Sequence, residues 1–517
     1  GACPTFLPAM GEFTTTLAAA LALALGGSEP PREQTMETVM QDDAELLFRD
    51  PATVRRNVRT MADLGVDRVR LTASWSTLAP ATDSPRRPQF DATDSEAYPA
   101  EPFTRLDEAV REVRAAGMDV MIDVAFFAPR WAVGRRGAGG RNVWKPSVSE
   151  FGQFTRAVAD RYSGRFSDPD SPGAGPLPAV RLWTTWNEPN HHVFLQPQWE
   201  RTGSRRLPFA PHHYRRMHNV AYDQIKESGA ANRVLIGGLT SFSYRGKGAK
   251  SSLGPIRFTR ELACVDSRMR PLRRRACRDF RPLRADGFAQ HPYSLRTAPD
   301  DRSPDGSDRV QIGELDRLTS LLAELNSAGR IESPLDLYLT EYGYETNPPS
   351  PTGRAPDEHA RFLGQATYLA YRSPSVRMFP QFLLRDIGPD LSKPVGSKAR
   401  WRDYQTGIVQ FDGAPKPAVL QAFRLPFHAE AARNAEGEKE TVAFGQVRPS
   451  EGPQAVSLER LDFTAGWVTE AELATDLQGY YEHRVSYREG STYRAVWTPS
   501  EGEPETSPEV TVDAPAR

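Results

Sequence analysis

Cysteine is scarce in this chain of 517 residues: the only 3 are Cys3, Cys264 and Cys277, and no two form a CxxC pair. With only 9 histidines besides, this excludes a disulfide-dense scaffold and leaves no ligand spacing suited to a structural zinc site. Charge of one sign is equally lacking. The 65 basic and 66 acidic side chains leave a formal net charge of -1, which offers no global field to nucleic acid or to an anionic membrane. Long hydrophobic runs are missing too, since Leu17 to Leu25 (LAAALALAL) is too short to cross a bilayer.

That short run is followed at once by Gly26, Gly27, Ser28, Glu29 and Pro30, and it reads as the apolar part of a secretory signal with small residues near a cleavage point. The usual basic start is absent, and the competing reading is an Ala-rich surface helix. Residues 1–33 are therefore set aside as a signal-like or disordered leader, with a secreted or extracellular location expected and no membrane attachment after processing. In an oxidising compartment Cys264 and Cys277 could close a small loop; two free thiols are the alternative.

What is present is enough to build a large core. At 39% hydrophobic and 9% aromatic residues, wholesale disorder is excluded, and the length points to two domains. Over residues 34–427, eight β-rich runs alternate with amphipathic helical segments, the pattern of a parallel sheet with crossover helices. The runs are Thr38 to Gln41, Val66 to Trp75, Met118 to Phe127, Val180 to Asn187, Arg233 to Thr240, Asp286 to Tyr293, Leu335 to Tyr342 and Val376 to Leu384. This predicts an α/β fold, a (β/α)8 barrel of the TIM type. Between the runs, Phe151, Phe154, Val158 and Tyr162 recur at helical spacing, and Gly65, Gly117 and Gly229 are placed to end helices in the left-handed conformation. Residues 428–517 change texture: Glu430 to Lys439 reads as a charged joint, short β-rich runs beyond it predict a small antiparallel β-sandwich, and Ser500 to Ser507 reads as a mobile loop.

In a closed barrel, chemistry belongs at the C-terminal strand ends. Two glutamates fall there: Glu188 after the fourth run (TTWNEPN) and Glu341 after the seventh (LYLTEYGYE). A carboxylate at the end of a buried strand is costly to desolvate, so a pair of them points to acid/base work rather than packing.

On these residues the chain resembles the clan of retaining glycoside hydrolases whose barrels carry the acid/base after strand four and the nucleophile after strand seven. Asn187-Glu188-Pro189 is similar to that clan's signature, and the resemblance implies that Glu188 is the acid/base and Glu341 the nucleophile. It further implies that Arg70 and Tyr293 contact the nucleophile and that Asn187 binds a sugar hydroxyl, with His291 beside them on strand six. APRWA (Ala128 to Ala132) is similar to family 39, and families 5 and 51 are similar as well. Phe382, Leu383 and Leu384 stand where many members place a tryptophan after strand eight, and Phe126 and Phe127 where several carry a histidine.

Retaining hydrolysis needs no metal or organic cofactor, only a carbohydrate substrate and two carboxyl groups. Flat aromatic side chains stack on sugar faces, which makes Trp75, Trp131, Trp186, Tyr342 and Tyr344 candidates for the substrate wall, with Trp144 and Trp183 behind them. Arg245, Lys247 and Lys250 follow strand five on the same side, as do His191 and His192 after the acid motif, whereas Arg268 to Arg284 leads into strand six at the opposite end. Two rival functions share these residues: a transglycosylase, and a non-catalytic glycan-binding protein encouraged by the altered strand-eight position. Sugar identity, polysaccharide or oligosaccharide preference and oligomeric state are not encoded in any motif.

Overall fold

The computed structural model describes residues 36–137, 140–169, 172–243, 251–401, 404–450 and 452–513. The leader expected over residues 1–33, Cys3, and Arg245, Lys247 and Lys250 lie outside these. The chain forms two compact units, one of residues 36–354 with 369–414, the other of residues 355–368 with the chain from Pro415 onward. The second unit thus begins before residue 428 and takes in a segment from within the barrel sequence.

The first unit carries eight parallel strands: β1 (Glu37–Gln41), β2 (Arg68–Ser74), β3 (Asp119–Ala125), β4 (Leu182–Thr185), β5 (Arg233–Thr240), β6 (Gly287–His291), β7 (Leu337–Leu339) and β8 (Met378–Phe382). Seven fall inside the runs expected for them, and β1 starts one residue before its run, at Glu37. Their order, β8-β1-β2-β3-β4-β5-β6-β7, closes where Leu337 N–H donates to Ser375 O at 2.8 Å and Arg377 N–H donates to Leu337 O at 2.9 Å. This is a (β/α)8 barrel. A layer of inward side chains, Val39, Met121, Leu182, Leu235, Ala289, Tyr338 and Met378, fills the interior and leaves the C-terminal mouth as the place for a cleft.

Helix ends follow local chemistry. Pro51–Asp63 starts with Pro51 in its first turn and an Asp50 cap that accepts from Thr53 N–H, while Val148–Arg161 buries Phe151, Phe154 and Val158, the positions its spacing marked. Gly65 and Gly117 adopt positive φ after their helices, as expected. Gly229 does not: its φ of -174° is extended, because Ala210–Ser228 ends on a bond from Gly229 N–H to Ile225 O and needs no left-handed residue.

Cys264 and Cys277 are joined by a disulfide with Cα atoms 5.7 Å apart, closing the loop that precedes β6. Closing a loop of 13 residues by that bond is expected to contribute about 3 kcal/mol through the unfolded chain. Cys264→Ser with Cys277→Ser should therefore lower the denaturant midpoint while leaving turnover at 25 °C unchanged, because the loop lies at the barrel end opposite the mouth. Equal midpoints for the two proteins would overturn this.

The second unit contains two antiparallel sheets. One pairs β9 (Phe427–Arg433), β10 (Lys439–Gln446) and β13 (Tyr480–Ser486); the other pairs β11 (Ala455–Asp462), β12 (Gly466–Ala474), β14 (Thr492–Trp497) and the short β15 (Glu505–Thr506), with β16 (Val510–Thr511) also on β14. Two expectations are corrected here. The joint at Glu430 is part of β9, in which Phe427, Ala429 and Ala431 face the core; the alternation was carried by alanines, whose weak strand preference hid it. The tail is pinned at Glu505, which accepts from Arg424 Nη2 and Nε at 2.6 and 2.8 Å, and at Ser507, whose hydroxyl oxygen accepts from Ala495 N–H. Among the described residues, no helix is long and apolar enough to cross a membrane.

Candidate active site

The NEP turn begins two residues past the end of β4, at Asn187, and is held in an unusual conformation. Trp186 and Glu188 have φ of 68° and 39°, left-handed values that cost L-residues of order 1 kcal/mol or more each. Neighbouring strands hold the turn in place: Trp186 N–H donates to Val124 O at 2.8 Å and Glu188 N–H to Gly238 O at 2.9 Å. The second asparagine of the motif completes the brace, with Asn190 Nδ2 donating to Thr240 O and Leu253 O and its Oδ1 accepting from Thr240 N–H, all at 3.0 Å. Strand β5 bends to meet the turn at Gly237, where φ is 113° and a Cβ would come within 2.5 Å of Ala289 O.

Glu188 and Glu341 meet across the mouth. One oxygen of each carboxyl group and the His291 ring nitrogen lie within 4.8 Å of one another. The surroundings of the two are unlike. Glu341 Oε1 accepts from Arg70 Nη1 at 2.6 Å and its Oε2 from the Tyr293 hydroxyl at 3.2 Å. Glu188 Oε1 lies 3.1 Å from His291 Nδ1, with the Thr240 side chain also hydrogen-bonded to this carboxyl group, and that same nitrogen is 3.4 Å from Glu341 Oε2. Burial raises both carboxyl groups above the ordinary glutamate range. At Glu341 the Arg70 guanidinium opposes burial; at Glu188 the opposition comes from His291, which burial itself keeps neutral, and the charge of Glu341 adds to the rise.

Arg70 is the hub. It is 1% exposed, and besides Glu341 it donates to Gln41 Oε1, to Asp123 Oδ2 at 2.8 Å and to Asn187 Oδ1 at 3.2 Å. Asp123, wholly buried in the middle of β3, is fixed in turn by the Thr184 hydroxyl at 2.7 Å. Sequence reading missed Gln41 and Asp123, although a carboxylate inside MIDVAFF was a visible anomaly.

Arg70, Asn187, His291 and Tyr293 thus stand together with the glutamates, as the resemblance implied. The aromatic candidates do not. Trp75 is fully buried and stacks on Phe154 at 5.7 Å, with Trp131 edge-on to it; Trp131 donates its indole N–H to Pro80 O. Trp186 donates to Phe194 O and packs edge-on to Phe151. Tyr342 stacks behind Tyr293 at 6.2 Å and Tyr344 donates to Thr297 O. Trp183 donates to Val180 O and Trp144 carries Arg135 at 3.7 Å over its ring. All are packing or loop anchors, because the last apolar residues of barrel strands point into the layers around the barrel as often as into its mouth.

The cleft itself, about 410 Å³, is walled by other aromatics. Trp401 and Tyr404 enter it from the long loop after β8, and Phe194 and Phe242 from the loops after β4 and β5. A tryptophan thus lines the cleft from a position about twenty residues beyond the end of β8, a distance that no strand-end motif reveals. Trp401→Ala is expected to raise KM about tenfold with little change in kcat, as for uniform binding lost, and an unchanged KM on a cleaved aryl glycoside would count against its contact with sugar. His191 lines the same cleft, its ring held neutral by burial with a pKa pushed down to about 4. His192 instead packs against the Ser252 hydroxyl.

No family model and no curated protein matches the chain, so the lean toward family 39 gains no support. Among solved structures, the chain is similar to GH5_18 from Streptomyces cattleya in complex with GlcNAc, at 15% identity over 76% of this chain and 80% of that one, with a TM-score of 0.46. It is also similar to the β-glycosidase of the hyperthermophile Thermosphaera aggregans, at 17% identity over 77% and 96% of the two chains and a TM-score of 0.45. Likeness this distant decides neither reaction nor substrate, and the functional reading rests on the residues of the cleft.

Proposed function

We propose that the protein is a retaining glycoside hydrolase, with Glu188 as acid/base and Glu341 as nucleophile. The observation that carries this is the paired carboxyl groups in one cleft, with oxygens inside 4.8 Å of each other and only one of the two held by a guanidinium. A direct attack by water would need the groups roughly 6.5 to 9.5 Å apart, whereas double displacement uses roughly 5 to 5.5 Å, and the short separation favours the second. Arg70 and Tyr293 stabilise a charge on Glu341, so of the two carboxyl groups it is Glu188 that holds the proton.

In the first step the Glu188 O–H donates its proton to the glycosidic oxygen as Glu341 attacks the anomeric carbon and the bond to the leaving group breaks. Esterified Glu341 no longer repels a charge, so Glu188 ionises and accepts a proton from the water that cleaves the ester. Asn187 has its Oδ1 committed to Arg70 and keeps its amide N–H groups for a substrate hydroxyl. The Arg70 guanidinium already supplies the positive charge beside Glu341, and the chemistry calls for no metal or cofactor.

The pH dependence has a definite sign. Raising pH removes the Glu188 proton and lowering it protonates Glu341, so kcat/KM is expected to trace a bell. Because burial and the charge of Glu341 push Glu188 upward, the alkaline limb should lie above the range of an ordinary glutamate, and Glu188→Gln should abolish that limb while leaving the acid one; a limb that survives belongs to another group.

Product configuration from an aryl glycoside, read by NMR at early times, tests the mechanism: an initial product of inverted configuration would reject it. A transglycosylase would give mainly acceptor adducts in the same assay, and a silent binding protein would give no product. Trp401 in the cleft weighs against the altered strand-eight position as a reason to favour the silent protein.

A further inference from the structure

The Arg70 guanidinium is held by its two terminal nitrogens. Nη2 donates to Asp123 and Asn187, Nη1 donates to Glu341 and Gln41, and Nε is buried with no partner among the described residues. The position of Nη1 is thus divided between Glu341 and Gln41, the buried last residue of β1. Whatever fixes Gln41 decides how Nη1 is presented to Glu341.

An amide side chain has two ways to turn, and here its neighbours leave one. Arg70 only donates, so Gln41 faces it with Oε1, which sends Nε2 toward Asp43 Oδ2 at 3.4 Å. Asp43 is itself oriented, since its Oδ1 accepts from Thr72 N–H at 3.1 Å. The bonds therefore run from Thr72 on β2 to the loop after β1 and back to Arg70 on β2, with Asp43 as the acceptor that sets their direction. Asp42, next to it, is turned elsewhere and accepts from the Glu45, Leu384 and Arg385 N–H groups, while Glu45 is paired with Arg49 and Arg385. Burial raises Asp43 above the ordinary aspartate range, opposed by its bonds from Thr72 and by the charge of Arg70.

We propose that Asp43 and Gln41 are positioning residues for the nucleophile: Asp43 fixes which way the Gln41 amide is turned, and Gln41 fixes where Arg70 Nη1 stands against Glu341. This deepens, and rests on, the assignment of Glu341 as the nucleophile.

The test exploits hydrogen-bond polarity at nearly constant volume. In Asp43→Asn the carbonyl oxygen stays on Thr72 N–H, so the new Nδ2 meets Gln41 Nε2, donor against donor; turning the Gln41 amide only moves the clash to Arg70. On an activated aryl glycoside kcat is expected to fall about tenfold or more, with KM within about twofold of the parent. Adding Gln41→Glu gives every donor an acceptor again and returns the net charge to that of the parent, so most of the lost kcat should come back. The new carboxylate also draws on the Arg70 charge that favours ionised Glu341, so the acid limb of kcat/KM should move to higher pH in the double variant. The other groups facing Glu341, which are Tyr293, His291, Glu188 and, across Arg70, Asp123, are the same in all three proteins.

Parental kcat in Asp43→Asn, a double variant no more active than Asp43→Asn, or a parental acid limb in the double variant would overturn the proposal. Folding lost in Asp43→Asn and not regained in the double variant, read from denaturant midpoints, would overturn it too. ¹³C NMR of glutamate side-chain carboxyl carbons, with the Glu341 signal assigned by its loss in Glu341→Gln, follows the same titration without substrate. A Glu341 midpoint that rises in the double variant of a protein that cleaves no glycoside would sink the hydrolase reading and leave the positioning pair standing; an unmoved midpoint would sink the pair.

Discussion

Replacing Glu341 by alanine is expected to reduce kcat by about 10⁴-fold or more on every glycoside the protein cleaves, because the variant has no group able to form the glycosyl ester. Glu188→Ala should behave differently. With a 2,4-dinitrophenyl leaving group, which needs no proton, the ester still forms in a burst, and the second step then slows by about 10²- to 10⁴-fold for want of a base. Azide, small enough to enter the space the carboxyl group vacated, should restore turnover and release a glycosyl azide of the substrate's own configuration. The same azide added to Glu341→Ala should give the opposite configuration. Identical azide products from the two variants, or substantial activity left in Glu341→Ala, would remove the assignment of roles.

Arg70→Met is expected to damage both fold and chemistry. The guanidinium is buried between Asp123 and Glu341, and its removal leaves the wholly buried Asp123 and the largely buried Glu341 without their shared counter-charge. Breaking a buried pair in this way costs about 3 to 5 kcal/mol, which should appear as a lower denaturant midpoint. It should also move the acid limb of kcat/KM to higher pH, since Glu341 would lose the interaction that favours its ionised form. Adding Asp123→Leu removes the stranded carboxylate and should recover much of the stability but none of the acid-side activity. A variant with the parent midpoint and the parent acid limb would show that Arg70 matters to neither.

Much of this was legible in the linear chain, for a physical reason. Strands buried on both faces must be apolar, as RVLIGGLT and LDLYL are, and a chain that alternates eight of them with amphipathic helices has few ways to close. Against such runs, Glu188 and Glu341 stood out as groups expensive to bury. Arg70 stood out less, and Asp123 was passed over although it obeys the same rule. The sandwich was harder. Strand β9 packs with alanines, carries His428 and Glu430 on its other face and ends in Arg433, so its composition resembled a linker until its partner β10 was in view. The tail at Glu505 looked mobile because proline and glutamate favour solvent, yet its position is set by Arg424, some eighty residues earlier.

Aromatic residues divided most sharply between the two sources. Trp75, Trp131, Trp186 and Tyr342 flank the catalytic motifs in sequence but turn into packing layers, while Trp401 and Tyr404 reach the cleft from a loop with no periodic signal. By itself the sequence determined the barrel and singled out two glutamates at its strand ends, since burial patterns and the cost of hiding a charge are written locally along each strand. Which oxygen faces which partner and which rings line the cleft were decided only by the tertiary structure, because those depend on the directions in which side chains far apart along the chain are made to point.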